Sequence, residues 1–194
     1  MRESNSQQWF WRPLLYHLTN PLIKLDICII TYSNSLHNNT INFFTYFIIG
    51  DIMSIVAYTT KEVDLLARLM RAEAVGEGQL GMLMVGNVGI NRVLADCLTF
   101  KDINSITDMV FQSPGGFAGT NSPMFYGSAT TIEKELAMRN INGEYYYPAT
   151  NALWFYAPSG NNSCVPLWYE QRLSGRYLSH CFYQPYSSVC KEIH

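Results

Sequence analysis

The chain has 194 residues, of which 48% are hydrophobic and 14% charged, and its formal net charge is −2. This length predicts one core of ordinary size together with a tail. Because basic residues are not in excess, the composition excludes a polyanion-binding role, and nucleic acid is not expected as a partner.

Residues 1–52 lack the pattern of a folded domain, since they show no sustained helical or strand period. Their apolar stretches are too short for a membrane span, and no secretory signal with a cleavage site is present. Gly50 and Asp51, just before Met53, are encodable by a purine-rich stretch resembling a bacterial ribosome-binding site. We therefore predict that residues 53–194 form the folded domain. Residues 1–52 are interpreted as a disordered extension or as translated upstream sequence.

The first predicted helix of this domain begins after Thr59, which has capping-box spacing to Glu62. An apolar stripe continues the pattern through Val63, Leu65, Leu66, Leu69 and Met70. The helix is predicted to end near Gly76, the residue type that best adopts a left-handed conformation after a last turn.

Glu73 extends the apolar stripe of this helix, because it follows Leu69 by four residues and Met70 by three. Burial beside aliphatic side chains and the negative end of the helix dipole both raise the pKa of a carboxyl group. The position therefore predicts a general acid that keeps its proton near neutral pH, as glycosidases require. The alternative is a structural ion pair with a buried arginine, Arg92 or Arg68.

Three glycines on the next predicted helix, Gly81, Gly86 and Gly89, indicate close helix packing rather than a phosphate-binding loop. Residues 112–123 are rich in Gly, Ser, Pro and Asn and predict a loop at the rim of a groove. Strand-like composition at residues 153–156 and 180–183 adds a short sheet. The predicted fold class is therefore α+β.

Four cysteines lie after residue 52, and they allow up to two disulfides in three pairings: Cys97, Cys164, Cys181 and Cys190. Because no convincing secretory signal precedes them, free thiols in a reducing compartment are the favoured interpretation.

Four motifs occur in order over residues 53–194. Residues 66–93 read LARLMRAEAVGEGQLGMLMVGNVGINRV, with Ala72, Glu73, Ala74, Gly76 and Glu77 at the helix end and Asn91, Arg92 and Val93 at its close. The later motifs are Val110, Phe111 and Gln112 with Phe117, then residues 152–156 (ALWFY), then residues 180–183 (HCFY). Together they resemble the cell wall hydrolase family of the spore cortex-lytic enzymes SleB and CwlJ, and the cysteines favour its CwlJ branch.

The resemblance implies a mainly helical, lysozyme-like domain with a short backing sheet, in which Glu73 is the catalytic acid. It implies cleavage of glycan strands, by lytic transglycosylation in the SleB branch. No second carboxylate is marked out as nucleophile or base, although Glu77 leaves hydrolysis through a water molecule open. The residues expected to contact substrate are Glu77, Gln112, Phe117, Trp154, Tyr156 and His180.

The resemblance also implies peptidoglycan of the spore cortex as substrate and a role in germination. The protein is then made in the mother-cell cytoplasm without a cleaved signal peptide, and it is stored near the spore coat with a coat protein partner. No metal or other cofactor is predicted. The calcium dependence that the CwlJ branch suggests stays open, because no acidic loop of calcium-binding pattern is present.

Three other functions have partial support in the sequence. A zinc amidase needs about three metal ligands, but only His180 and His194 follow residue 52 and no His-Glu-x-x-His motif occurs. A cysteine peptidase would use Cys164 or Cys181 with His180, without a local signature. The third alternative is a spore-coat or wall-binding protein that has lost catalysis, against which the presence of Glu73 in its motif argues.

Overall fold

The structure, a computed structural model, describes residues 54–160, 162–191 and 193, together with the backbone of two short strands near the N-terminus. These strands, β1 (Cys28–Ile30) and β2 (Tyr46–Ile48), pair antiparallel. The chain divides into two units between Ile52 and Met53. The interpretation of residues 1–52 as an extension falls largely outside the described residues, and it stays a prediction.

Helix α1 (Thr60–Ala74) begins with the predicted capping box. The amide of Glu62 donates to the Thr59 hydroxyl at 3.3 Å, and the Glu62 carboxylate accepts from the Thr59 amide at 3.0 Å. The helix ends at Ala74, near Gly76 as predicted, and a 3₁₀ turn at Val75–Glu77 follows it. The left-handed conformation therefore falls on Gly78, with φ 74°, and not on Gly76.

Helix α2 (Gly78–Leu94) is the centre of the domain, and every residue from Gly81 to Arg92 is buried. A Cβ atom at Gly86 would lie 2.1 Å from Asn140 Oδ1, and one at Gly89 would lie 3.0 Å from Met109 Cε. The first distance leaves no room for a side chain, and the second is shorter than side chains normally approach. The predicted packing role is therefore confirmed for these two glycines.

Three further helices surround α2: α3 (Ile106–Val110), α4 (Pro123–Tyr126) and α5 (Thr131–Ile141). Helices α1, α3 and α5 contact α2 directly. The predicted loop at residues 112–123 contains a short 3₁₀ turn at Ala118–Asn121. Among the described residues, no helix is long and apolar enough to cross a membrane.

The C-terminal part forms an antiparallel sheet of four strands in the order β3-β6-β5-β4. The strands are β3 (Trp154–Tyr156), β4 (Leu167–Trp168), β5 (Gln171–Tyr177) and β6 (His180–Gln184). Phe155 of β3 lies opposite Phe182 of β6. The two predicted strands and the α+β fold class are confirmed, and strands β4 and β5 were not predicted.

The four cysteines after residue 52 form two disulfides in the structure, Cys97–Cys190 and Cys164–Cys181. The free-thiol interpretation is therefore wrong. Its argument concerned the redox compartment and not the geometry, whereas the fold brings each pair of Cα atoms to within 5.7 Å or less. That spacing suits a disulfide.

Buried asparagines of α2 hold the segment that leads into β3. The Asn91 side-chain amide donates to the carbonyl oxygens of Ala149, Thr150 and Ala152 at 2.9–3.1 Å. Asn87 donates to the carbonyl of Glu144. Because this segment is irregular, side chains supply hydrogen bonds to several of its backbone oxygens.

Replacing Asn91 by alanine is therefore expected to lower the free energy of unfolding by about 3 kcal/mol, because buried polar groups left without a partner cost about 1–3 kcal/mol each. Urea unfolding measures this change. The matched control is Asn104→Ala, since Asn104 is exposed and bonds only locally to the Asp102 carbonyl. Equal effects of the two substitutions would contradict the role given to Asn91.

Candidate active site

Glu73 lies in the last turn of α1 with its side chain half-buried, and its neighbours Leu69 and Met70 are fully buried. Burial raises the pKa of the Glu73 carboxyl group. Two weaker influences lower it, namely a hydrogen bond from the Gly119 amide to Oε1 at 2.5 Å and the positive charge of Arg92. The net shift is upward, so Glu73 keeps its proton to a higher pH than an exposed glutamate.

Arg92 is 4% exposed, and its guanidinium is directed at backbone and ring partners. Its Nε donates to the Leu153 carbonyl at 2.8 Å, and its Nη1 donates to the Gly115 carbonyl at 3.2 Å. The guanidinium carbon lies 4.2 Å from the ring centroid of Phe117. Burial lowers the pKa of Arg92 to about 10, so the group remains charged at neutral pH.

The hypothesis that Glu73 forms an ion pair with an arginine is not supported. Within the described part of the chain, the ion pairs closer than 4.0 Å do not include Glu73. Arg68 instead pairs with Asp64 at 2.9 Å on the same helix. Arg92 therefore acts on Glu73 through its field and leaves the carboxyl group free of a salt bridge.

Glu77 ends the 3₁₀ turn after α1 and is bound by the turn between β5 and β6. The Ser179 amide donates to Glu77 Oε2 at 3.0 Å, and the Ser179 hydroxyl donates to Oε1. His180 Nδ1 lies 3.9 Å from Oε2. Burial lowers the pKa of His180 against the opposing charge of Glu77, which favours the neutral imidazole and a weak interaction between the pair.

Arg92 and a row of aromatic rings lie between Glu73 and Glu77. The ring of Phe117 lies beneath the Arg92 guanidinium and 6.1 Å from the ring of Phe155. Phe155 in turn meets the His180 imidazole edge-on at 5.1 Å. The structure therefore brings Glu73, Phe117, His180 and Glu77, all predicted from sequence, into one connected cluster.

The other predicted substrate contacts occupy different positions. Gln112 lies beside Arg92, whose Nη1 approaches its side-chain oxygen at 3.5 Å. Trp154 and Tyr156 lie on the face of β3 opposite to Phe155, since side chains alternate along a strand. Tyr156 stacks on Tyr183, 5.7 Å between ring centroids. Contact of these residues with substrate stays a prediction.

Sequence reasoning missed three residues of the cluster: Gly119, Ser179 and Phe155. Gly119 acts through its backbone amide, which leaves no signal in residue type, whereas Ser179 donates both its amide and its hydroxyl to Glu77. Phe155 lies inside a quoted motif, but the motif alone does not show which face of the strand meets the acid. Ser179 had a weak signal in the sequence, because it directly precedes the predicted strand at residues 180–183.

A shallow surface depression lies at the opposite end of α1, with Thr59, Thr107 and Phe111 in its lining. Its carboxylate, Glu62, is committed to the capping box and also accepts from the Thr107 hydroxyl at 3.1 Å. A carboxylate with these fixed partners is a structural element rather than an acid. Glu62 is therefore a weaker candidate for a general acid than Glu73, whose pKa is raised.

No group of three His, Cys, Asp or Glu side chains among the described residues is arranged to hold a metal ion. The cysteine peptidase alternative is contradicted, because Cys164 and Cys181 are bonded to each other and neither offers a thiol. The same bond places the loop before β4 against β6, next to His180.

Comparison with known proteins identifies the family. The model of the family described as Cell Wall Hydrolase matches residues 76–183. Cell wall hydrolase CwlJ of Oceanobacillus iheyensis is 55% identical over 141 residues, which cover 73% of this chain and 99% of that protein. CwlJ of Bacillus subtilis is 46% identical over 142 residues, which cover 73% of this chain and 98% of that protein.

Solved structures with the same fold include the catalytic domain of Bacillus cereus SleB, with a TM-score of 0.53 and 23% identity over 66% of this chain and 93% of that chain. The catalytic domain of the germination-specific lytic transglycosylase SleB from Bacillus anthracis has the same score and identity, over 66% and 98% of the two chains. At this identity the likeness shows the fold alone. The family match and the CwlJ relatives show more, and the chain belongs to the cell wall hydrolase family.

Proposed function

We propose that the protein cleaves the glycan strands of peptidoglycan by lytic transglycosylation, with Glu73 as the general acid. The observation that carries this proposal is a half-buried carboxyl group whose pKa is raised by burial and which, among the described residues, forms no ion pair. The family match begins at Gly76, three residues after Glu73. The role of Glu73 therefore rests on its surroundings and on the motif resemblance.

The proposed reaction needs one carboxyl group, which is protonated in the first step and ionised in the second. Glu73 first gives its proton to the glycosidic oxygen, which leaves with the electron pair of the broken carbon–oxygen bond. A hydroxyl group of the same sugar then forms a new bond to the anomeric carbon and returns its proton to the Glu73 carboxylate. The acid is thereby restored, and the product is an anhydro sugar one water lighter than a hydrolysed end.

The hydrogen bonds that Glu77 accepts favour this single-acid reaction over hydrolysis. A retaining or inverting glycosidase needs a second carboxylate as nucleophile or as base for water. Both oxygens of Glu77 already accept hydrogen bonds from Ser179. These bonds give Glu77 a structural role in holding the turn between β5 and β6, which favours a supporting function over that of a second catalytic carboxylate.

The same proposal includes the biological setting. The substrate is then the peptidoglycan of the spore cortex, degraded during germination by an enzyme made in the mother cell and stored at the spore coat with a coat protein partner. The support is the resemblance to the CwlJ branch together with the name of the Bacillus anthracis neighbour, a germination-specific enzyme. Crosslinking in intact spores tests the location and the partner.

Product analysis tests the reaction type. Purified cortex peptidoglycan is digested by the wild-type chain and by Glu77→Gln in oxygen-18 water, and the fragments are read by mass spectrometry. We expect anhydro-muramic ends without label from both proteins, because water takes no part. Labelled reducing ends would instead identify hydrolysis, and released peptides with intact glycan strands would identify an amidase.

A further inference from the structure

The two oxygens of the Glu73 carboxyl group have different surroundings. Oε1 accepts a hydrogen bond from the amide of Gly119 at 2.5 Å, and Gly119 is buried in the 3₁₀ turn at Ala118–Asn121. In a neutral carboxyl group the carbonyl oxygen is the better acceptor and the other oxygen carries the proton. When Glu73 is protonated, an amide fixed on Oε1 therefore leaves the hydrogen on Oε2.

Because Gly119 has no side chain, it also provides the space that the Glu73 carboxyl group occupies. A Cβ atom at position 119 would lie 2.8 Å from Glu73 Oε1 and 3.0 Å from its Cδ, closer than side chains normally approach. The backbone of Gly119 is not in the left-handed region, so its conformation is open to any residue. The reason for glycine here is thus the close approach of the acid.

We propose that Gly119 is a positioning residue that orients the acid, with its amide on Oε1 so that Oε2 delivers the proton. This inference rests on the proposed function of Glu73. After proton transfer, the negative charge spreads over both oxygens, and the Gly119 amide already points at one of them. A donor aimed at developing charge lowers the barrier, because no reorganisation is needed during the reaction.

The first test is Gly119→Ala in the full chain, with purified peptidoglycan as substrate. We expect the cleavage rate to fall about 10²-fold, since a displacement of a reacting group by ~1 Å can have that effect. The matched control is Gly127→Ala. Gly127 has φ −74°, and a Cβ atom there would meet only Arg71 Nη2, at an ordinary contact distance of 3.5 Å. The Gly127→Ala variant should therefore cleave peptidoglycan at the wild-type rate.

A second readout separates orientation from a general loss of structure. The Gly119 hydrogen bond favours the charged carboxylate, so its loss raises the pKa of Glu73. A general acid works only while protonated, and the alkaline limb of the pH–rate profile should therefore move to higher pH. Arg92 on α2, the other charged group that acts on Glu73, stays protonated over this range and does not move the limb.

If Gly119→Ala fails to fold, a variant with glycolic acid at position 119 decides the question. It replaces the amide by an ester and removes the N–H without adding a Cβ atom. We again expect a slower reaction and an alkaline limb at higher pH. A limb that stays at the wild-type pH overturns the inference, whereas an active Glu73→Gln enzyme overturns the proposed function beneath it.

Discussion

Replacing Glu73 by glutamine is expected to slow glycan cleavage at neutral pH by about 10²–10⁴-fold, the usual contribution of a general acid. Glutamine has nearly the same shape, and its carbonyl oxygen can still accept from the Gly119 amide. The loss is therefore chemical rather than structural. Release of soluble fragments from purified cortex measures it.

The matched control for this prediction is Glu135→Gln on α5, because Glu135 is exposed and the same atom is exchanged. We expect the control to keep the wild-type rate. If Glu73→Gln released material as fast as the control, the assignment of the acid would be wrong. The enzyme would then need another proton donor.

The same variant also changes how stability depends on pH. Burial raises the pKa of Glu73 above its ordinary value of 4.5, so the native protein binds this proton more tightly than the unfolded chain does. Stability from this group is fully present below pH 4.5 and is lost as pH rises through the raised pKa. Glu73→Gln lacks that loss. Its unfolding free energy relative to the wild type should therefore increase across this window, and urea unfolding at several pH values measures the difference.

The placement of Glu73 was predictable from sequence because its signal is local. Because Glu73 shares a helix face with Leu69 and Met70, its carboxyl group is half-buried beside the core. The Thr59 capping box fixes where that helix begins. Both features need only the chain within one helix, and the structure confirms both.

The surroundings of the acid were not predictable, because they come from distant segments. Gly119 is 46 residues from Glu73, and Ser179 is 102 residues from Glu77. Both donate backbone amides, whose positions depend on tertiary structure and not on residue type. For the same reason the sequence left open whether Arg92 pairs with Glu73, since the carbonyl oxygens that bind Arg92 lie in other segments.

The aromatic residues show a different limit. A strand presents alternate side chains to opposite faces, so the motif at residues 152–156 contains two possible sets of contacts. Sequence reasoning chose Trp154 and Tyr156, whereas Phe155 is the ring that meets His180 and Phe117 in the structure. Only the pairing of β3 with β6 decides which set points toward the cluster.

Removing the disulfide Cys97–Cys190 is expected to have the largest effect on stability of any change considered for this chain. The bond joins residues 93 apart, and the chain-entropy model gives about 4.7 kcal/mol for closing a loop of that length. The bond Cys164–Cys181 joins residues 17 apart, for which the same model gives about 3.1 kcal/mol. The double alanine variants should therefore differ in this order.

Urea unfolding of the two double variants, each compared with the oxidised wild-type chain, measures both losses. The ranking is a sharper test than either value, because the loop model omits the packing losses at Cys190 and Cys181, which are buried, one in each bond. If the variant without Cys97–Cys190 were the more stable of the two, loop closure would not govern these bonds. If neither variant lost stability, and reductant also had no effect on the wild type, the native cysteines would be thiols. The first outcome would change the energetic account, and the second would return the cysteines to the state that the sequence favoured.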